Sequence, residues 1–183
     1  MDISRDHPLR RLFESLVYRT FAESVRMPDP EVARYVADIL TRFVHMDNAY
    51  RLRDARGRRL EEVAEMLMEG DVRLNARSFS REREVHKHIG DFTLFWTGVY
   101  PEALRLLRAA WRKDHLVDYV DQGRKSYYIA STFDYGDYRD EARTLRKLSE
   151  WFEYCTYGLS LVRQEWERLG DPREQQFRRL LGE

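Results

Sequence analysis

His88 and Asp91 stand three residues apart inside an otherwise apolar run, Ile89-Gly90-Asp91-Phe92-Thr93-Leu94-Phe95-Trp96. On a helix that spacing sets both side chains on one face at neighbouring turns. An imidazole beside a carboxylate can ligate a metal or move a proton. The structural alternative is a buried Asp that accepts hydrogen bonds from Arg, Tyr or a helix end, with His88 on the rim. In either case partners must answer the pair, because an unpaired buried charge is strongly destabilising.

Two further constellations have residue types suited to chemistry. Carboxylate-bridged metal sites in bundles use Glu-x-x-His motifs, and none occurs here; the chain has His-x-x-Asp instead, at His88/Asp91 and His115/Asp118. His45, His88 and Asp91 are a geometrically conceivable mononuclear set, but their spacing carries little information, and no metal or other cofactor is expected. Gly123-Arg124-Lys125-Ser126-Tyr127-Tyr128 supplies cations and phenols near a mid-helix glycine. A pocket lined by His88, Asp91, Arg124, Tyr127 and Tyr128 would suit a small anionic ligand between helices. The competing account is a glycine retained for close helix packing, at a cost of ~1 kcal/mol against Ala, with core tyrosines whose hydroxyls reach polar partners.

The elements that must position these residues read as helices throughout. Leu9, Phe13, Leu16 and Thr20 share one face of a first helix opened by Pro8. Asp29-Pro30-Glu31 is a capped restart, and the second helix buries Val32, Val36, Ile39, Leu40 and Phe43. Residues 48–59, with a turn at Asp54-Ala55-Arg56-Gly57, read as loop. A short helix covers 60–69, and a central one runs from about 80 to 99, capped by Ser80. Pro101 breaks it, and a helix over 102–112 follows with Leu104, Leu107 and Trp111 on its face. Another spans 115–133. The last, over about 138–169, carries Leu145, Leu148, Phe152, Cys155, Leu159, Val162, Trp166 and Leu169 at alternating spacings of three and four. Such a stripe fits a long helix crossing a bundle or pairing with a partner. A short charged helix or frayed tail closes the chain.

Composition bounds the class. With 183 residues, 43% hydrophobic and 13% aromatic, one helical domain spanning 1–183 can hide roughly 70% of its unfolded surface without metal or disulfide. Lys and Arg number 32 against 32 acidic residues, so the basic excess of a nucleic-acid binder is missing. The arginines at 51–59 therefore read as a solvated loop. A single cysteine excludes an intrachain disulfide and a Cys-based zinc cage. No segment approaches the ~20 apolar residues that span a bilayer, and the first residues lack the pattern of a signal peptide. Cytoplasmic location and no membrane association are expected.

His88-Ile89-Gly90-Asp91, then Leu94-Phe95, Gly98 and Tyr100-Pro101-Glu102, followed by Gly123 and Ser126-Tyr127, resemble a group of uncharacterised soluble all-helical bacterial proteins. The likeness covers roughly residues 7–133. It implies a helical fold and directs attention to Asp91, and it implies no activity. The chain carries no Gly-x-Gly-x-x-Gly, phosphate loop, nucleophile elbow or His-Glu-x-x-His, so nothing selects an enzyme class. The expected fold is an all-α, single-domain bundle of about seven helices. The expected function is a binding or interaction protein without catalysis, as a homodimer or with a protein partner through the 145–169 stripe. The alternative is a metal- or small-ligand-dependent helical enzyme using His88 and Asp91.

Overall fold

A 21-residue helix, Phe79–Val99, forms the axis of the protein, and from Val85 onward every residue on it except Lys87 is buried. The computed structural model describes residues 8–76 and 78–170, with Pro172 and Gln175 beyond them; the expected charged helix or tail after Gly170 otherwise lies outside the described residues. Among the described residues the α-helices are α1 (Pro8–Glu23), α2 (Pro30–Phe43), α3 (Met46–Ala49), α4 (Val63–Gly70), α5 (Phe79–Val99), α6 (Leu104–Leu107), α7 (Tyr119–Ser131), α8 (Arg139–Glu150) and α9 (Phe152–Arg168). They contain no strand; Arg53 and Arg59 form one isolated antiparallel bridge across the Asp54–Gly57 turn. The all-α bundle follows the hydrophobic pattern, and no helix among them is long and apolar enough to cross a membrane.

Local chemistry sets several boundaries. The Asp29 carboxylate accepts from the Glu31 and Val32 amides at 3.1 and 3.0 Å, with Pro30 at the first helical position. The cap of α5 is Ser78, whose Oγ accepts from the Arg81 amide at 3.1 Å, two residues before the serine that the sequence suggests. α5 packs against α7, α9 and α4, while α1 pairs with α2 and α9. Close approach is possible because α5 has glycines where its neighbours press hardest. A methyl group on Gly90 would lie 2.5 Å from the Tyr127 ring, and one on Gly98 would lie 2.7 Å from Leu159.

Two expectations need correction. The helix expected over 102–112 is a 3-10 turn at Pro101–Ala103, the short α6, and a chain of tight turns running to the 3-10 segment Lys113–Leu116. Trp111 is then 84% exposed rather than buried. A tertiary bond overrides local propensity here. Asp114, 1% exposed, accepts from the Val63 and Ala64 amides at 2.9 and 2.8 Å, capping α4 from fifty residues away in the chain. Glu62 returns the favour by accepting from the amides of Lys113 and Asp114. A helix continued through residue 112 would not deliver Asp114 to that position, and α7 begins only at Tyr119, whose hydroxyl also donates to Asp114 at 2.6 Å.

The long C-terminal stripe divides into α8 and α9 at Trp151, which leaves helical dihedrals (φ −107°, ψ 22°) while keeping its hydrogen bonds to Lys147 and Cys155. The division lets α8 lie on α7 and α9 on α5 and α1. Leu145, Leu148, Phe152, Cys155, Leu159, Val162 and Trp166 are all buried inside the chain, and of the stripe only Leu169 is exposed. The stripe therefore belongs to the core and is not a free surface for a partner.

Candidate functional site

Asp91 of α5 has no exposed surface, and two other helices supply its hydrogen-bond donors. Tyr35 of α2 and Tyr127 of α7 both donate to Oδ1, at 2.8 and 2.9 Å. Arg42, two turns after Tyr35 on the same face of α2, donates from Nη2 to Oδ2 at 3.0 Å. Burial alone would raise the carboxyl, but Arg42, Lys87 and the Tyr35 hydroxyl hold it below the usual carboxylate range. Burial, together with the Asp91 charge, pushes both tyrosines well above their ordinary value. The result is an ionised carboxylate with three fixed donors and two phenols that stay protonated.

One turn earlier, Lys87 and Arg83 both reach Glu141 of α8, at 2.5 Å each, and Lys87 lies 5.6 Å from the centre of the Tyr35 ring. Burial works against the Glu141 carboxylate, and these two cations bring it below its usual range. Charges thus alternate from Arg42 through Asp91 and Lys87 to Glu141 and Arg83, linking α2, α5 and α8.

His88 belongs to a different environment. Its Nε2 donates to the Ala49 carbonyl at 2.9 Å, and its Nδ1 accepts from Arg51 Nε at 3.3 Å. Burial, then the Arg51 charge, lowers it to about 3, so the ring is neutral across the physiological range. Both nitrogens are committed to protein partners, and His88 orders the segment after α3. His45, the N-cap residue of α3, is exposed. Among the described residues no group of three His, Cys, Asp or Glu side chains is placed to hold a metal ion, so His45, His88 and Asp91 are not assembled into a ligand set.

The five-residue pocket suggested by spacing is likewise dispersed. Tyr127 meets Asp91, but Arg124 is exposed and only 4.0 Å from Glu153, and Tyr128 is half exposed with Arg146 stacked at 4.1 Å. Two surface hollows, of about 640 and 430 Å3, lie elsewhere. One is bounded by the Asp54–Arg58 turn and residues 74–76, the other by α1 and α9.

Sequence reasoning missed one constellation with chemical character. His86 Nδ1 is 3.3 Å from Ser126 Oγ, which accepts from Gln122 Nε2 at 3.0 Å. Burial keeps the His86 ring neutral, lowered to about 4. A hydroxyl beside a neutral imidazole is the first half of a nucleophile–base pair. Ser126 is wholly buried, however, and its oxygen is enclosed by protein, which leaves no place for a substrate carbonyl. Its sequence signal was only the shared face of Gln122 and Ser126, four residues apart. Tyr35 and Arg42 had a stronger one, as a phenol and a guanidinium seven apart on one helix face.

The fold and this polar centre define the protein as an all-helical bundle built around a buried carboxylate with three fixed donors. No protein-family description, curated protein or solved structure matches the chain.

Proposed function

We propose that this protein is a non-catalytic, cytoplasmic helical binding protein whose working surface surrounds α4 and the connector over residues 104–118. The supporting observation is the distribution of exposed apolar side chains. Of thirteen large hydrophobic residues exposed among the described residues, four, Met68, Val72, Leu74 and Phe79, belong to the end of α4 and the segment into α5. Three more, Leu106, Trp111 and Leu116, belong to the connector pinned to the start of α4 by Asp114. None of these seven is a tyrosine, whereas the remaining six are five tyrosines and Leu169. Tyrosine tolerates water through its hydroxyl, whereas Trp, Phe and Leu held in water on anchored segments mark interaction sites.

The polar centre supports a binding role from the other side. Asp91 and His88 are wholly buried, and their polar atoms are hydrogen-bonded to protein groups, an arrangement that suits a structural role better than catalysis.

The test places a photo-crosslinking amino acid at Trp111 in cells, with exposed Arg143 on α8 as the control position. Adducts of defined mass at 111, several-fold above those at 143, are expected. Equal or absent adducts at the two positions would overturn the proposal.

A further inference from the structure

The Trp111 connector is held rigidly and yet holds its apolar side chains in water. Trp111 and Leu116 are 84% and 83% exposed, while Asp114 between them is 1% exposed and tied to Val63, Ala64 and Tyr119. A frayed loop would expose all of these residues alike; here the polar anchor is buried and the apolar residues are presented. We infer that the occupant of this surface is a second copy of the chain, an inference that rests on the binding role proposed above.

The charges around Trp111 favour that occupant. Arg112 and Lys113 are answered from within the chain, Arg112 facing Glu62 at 4.0 Å and Lys113 pairing with Glu65. The charges left over have both signs. Arg105 and Arg108, exposed on the turn before Trp111, meet no carboxylate among the described residues. Glu61 and Asp118, exposed on either side of the Asp114 anchor, meet no cation among the described residues, although Asp118 also caps α7 through the Asp121 amide. An acidic protein or an anionic membrane would be selected by a patch of one sign. A mixed patch is self-complementary: about a two-fold axis, residue i of one copy meets j of the other and j meets i. Two copies can therefore give ion-pair partners to Arg105 and Arg108 and to Glu61 and Asp118. The chain as a whole has zero formal net charge, so its copies do not repel one another at long range.

The area is also adequate. One tryptophan can bury roughly 150–250 Å2, and a symmetric pair buries two of them along with both copies of Leu106 and Leu116. That is a substantial share of the ~1,600 Å2 hidden in a standard interface. Trp and Arg are the residue types that most often anchor such interfaces.

Sedimentation equilibrium of the full chain at roughly 1–100 μM, a range suited to weak and moderate affinities, tests the inference. The expected species has twice the 22.1 kDa chain mass. Trp111→Ser should weaken association at least tenfold with an unchanged circular dichroism spectrum, since a residue so exposed contributes little to the folded monomer. Arg105→Glu with Arg108→Glu should weaken it too, and Glu61→Lys added to that pair should recover part of the loss. A single-chain mass throughout, or a dimer indifferent to Trp111→Ser, overturns the inference. If the protein is monomeric while position 111 still crosslinks to another protein in cells, the dimer fails and the binding role survives. If wild-type monomer instead sediments with phosphatidylglycerol vesicles through Trp111, the occupant is a lipid surface and the dimer again fails.

Discussion

Arg42 keeps 26% of its side chain in solvent while its Nη2 sits 3.0 Å from an Asp91 carboxylate that has no solvent at all. The pair is lopsided: one charge is partly hydrated and the other depends wholly on protein. Asp91→Leu should therefore cost about 3–5 kcal/mol, because Arg42, Tyr35 and Tyr127 all lose their acceptor at once. Asp91→Asn keeps one acceptor oxygen and should cost clearly less. Urea denaturation monitored by circular dichroism measures both. A Leu variant as stable as the wild type would show that the cluster is not a structural organiser.

His86 and His88 predict how stability depends on pH. Both are buried and neutral, lowered to about 4 and about 3, whereas an unfolded histidine titrates near 6.5. As pH falls from 7 through 6.5 the unfolded chain binds protons that the folded chain refuses, so stability declines. The sign is fixed: the stability contributed by the two neutral histidines is fully present above about pH 7 and is lost progressively towards their folded-state values. Each histidine should contribute on the order of 1–2 kcal/mol of loss between pH 7 and 5. Below that window Asp91, whose folded value is depressed, adds a further loss as it protonates. Urea midpoints recorded across pH 5–8 check this, and a midpoint that does not move would contradict two buried neutral imidazoles.

Gly90→Ala separates packing from propensity. Alanine is favoured over glycine by ~1 kcal/mol in a helix interior, yet its methyl group would lie 2.5 Å from the ring of Tyr127. Tyr127 cannot retreat without releasing Asp91, so a net loss of about 1–3 kcal/mol is expected. Thermal melts of Gly90→Ala alone and with Tyr127→Phe should show that the two changes are not additive.

Asp114→Ala removes the cap that joins the connector to α4. Three donors, the Val63 and Ala64 amides and the Tyr119 hydroxyl, lose their acceptor, and an unsatisfied buried donor costs about 1–3 kcal/mol. Hydrogen exchange should quicken at the start of α4 and in residues 104–118 while the centre of α5 stays protected. Uniform exchange across the chain would mean that the connector is not a separately anchored unit.

The helices were legible because their apolar residues repeat at helical spacing, as Val32, Val36, Ile39, Leu40 and Phe43 do in α2. Asp91 was legible as a buried carboxylate for the same reason, since an acid amid Ile89, Phe92 and Trp96 has nowhere to go but inward. Its tyrosine donor on the 115–133 segment was foreseen in kind. Arg42 and Tyr35 were not, because seven-residue spacing says which residues share a face and not which helix they will meet. Trp111 was misplaced for a deeper reason. Its segment has ordinary helical propensity, and what unwinds it is Asp114 captured by α4, a contact between positions fifty apart that leaves no local trace. The stripe at 145–169 was read correctly as a buried face, but whether a partner or the same chain buries it depends on the division at Trp151.

The unequal exposure of the four tryptophans gives the protein its own optical probe. Trp96 and Trp166 are 1% and 2% exposed and Trp151 is half-buried, so Trp111 alone stands free in water. Its emission is the long-wavelength part of the spectrum and the part that iodide can quench. Whatever covers this residue in the cell will announce itself as a blue shift and a loss of quenching, with no label attached.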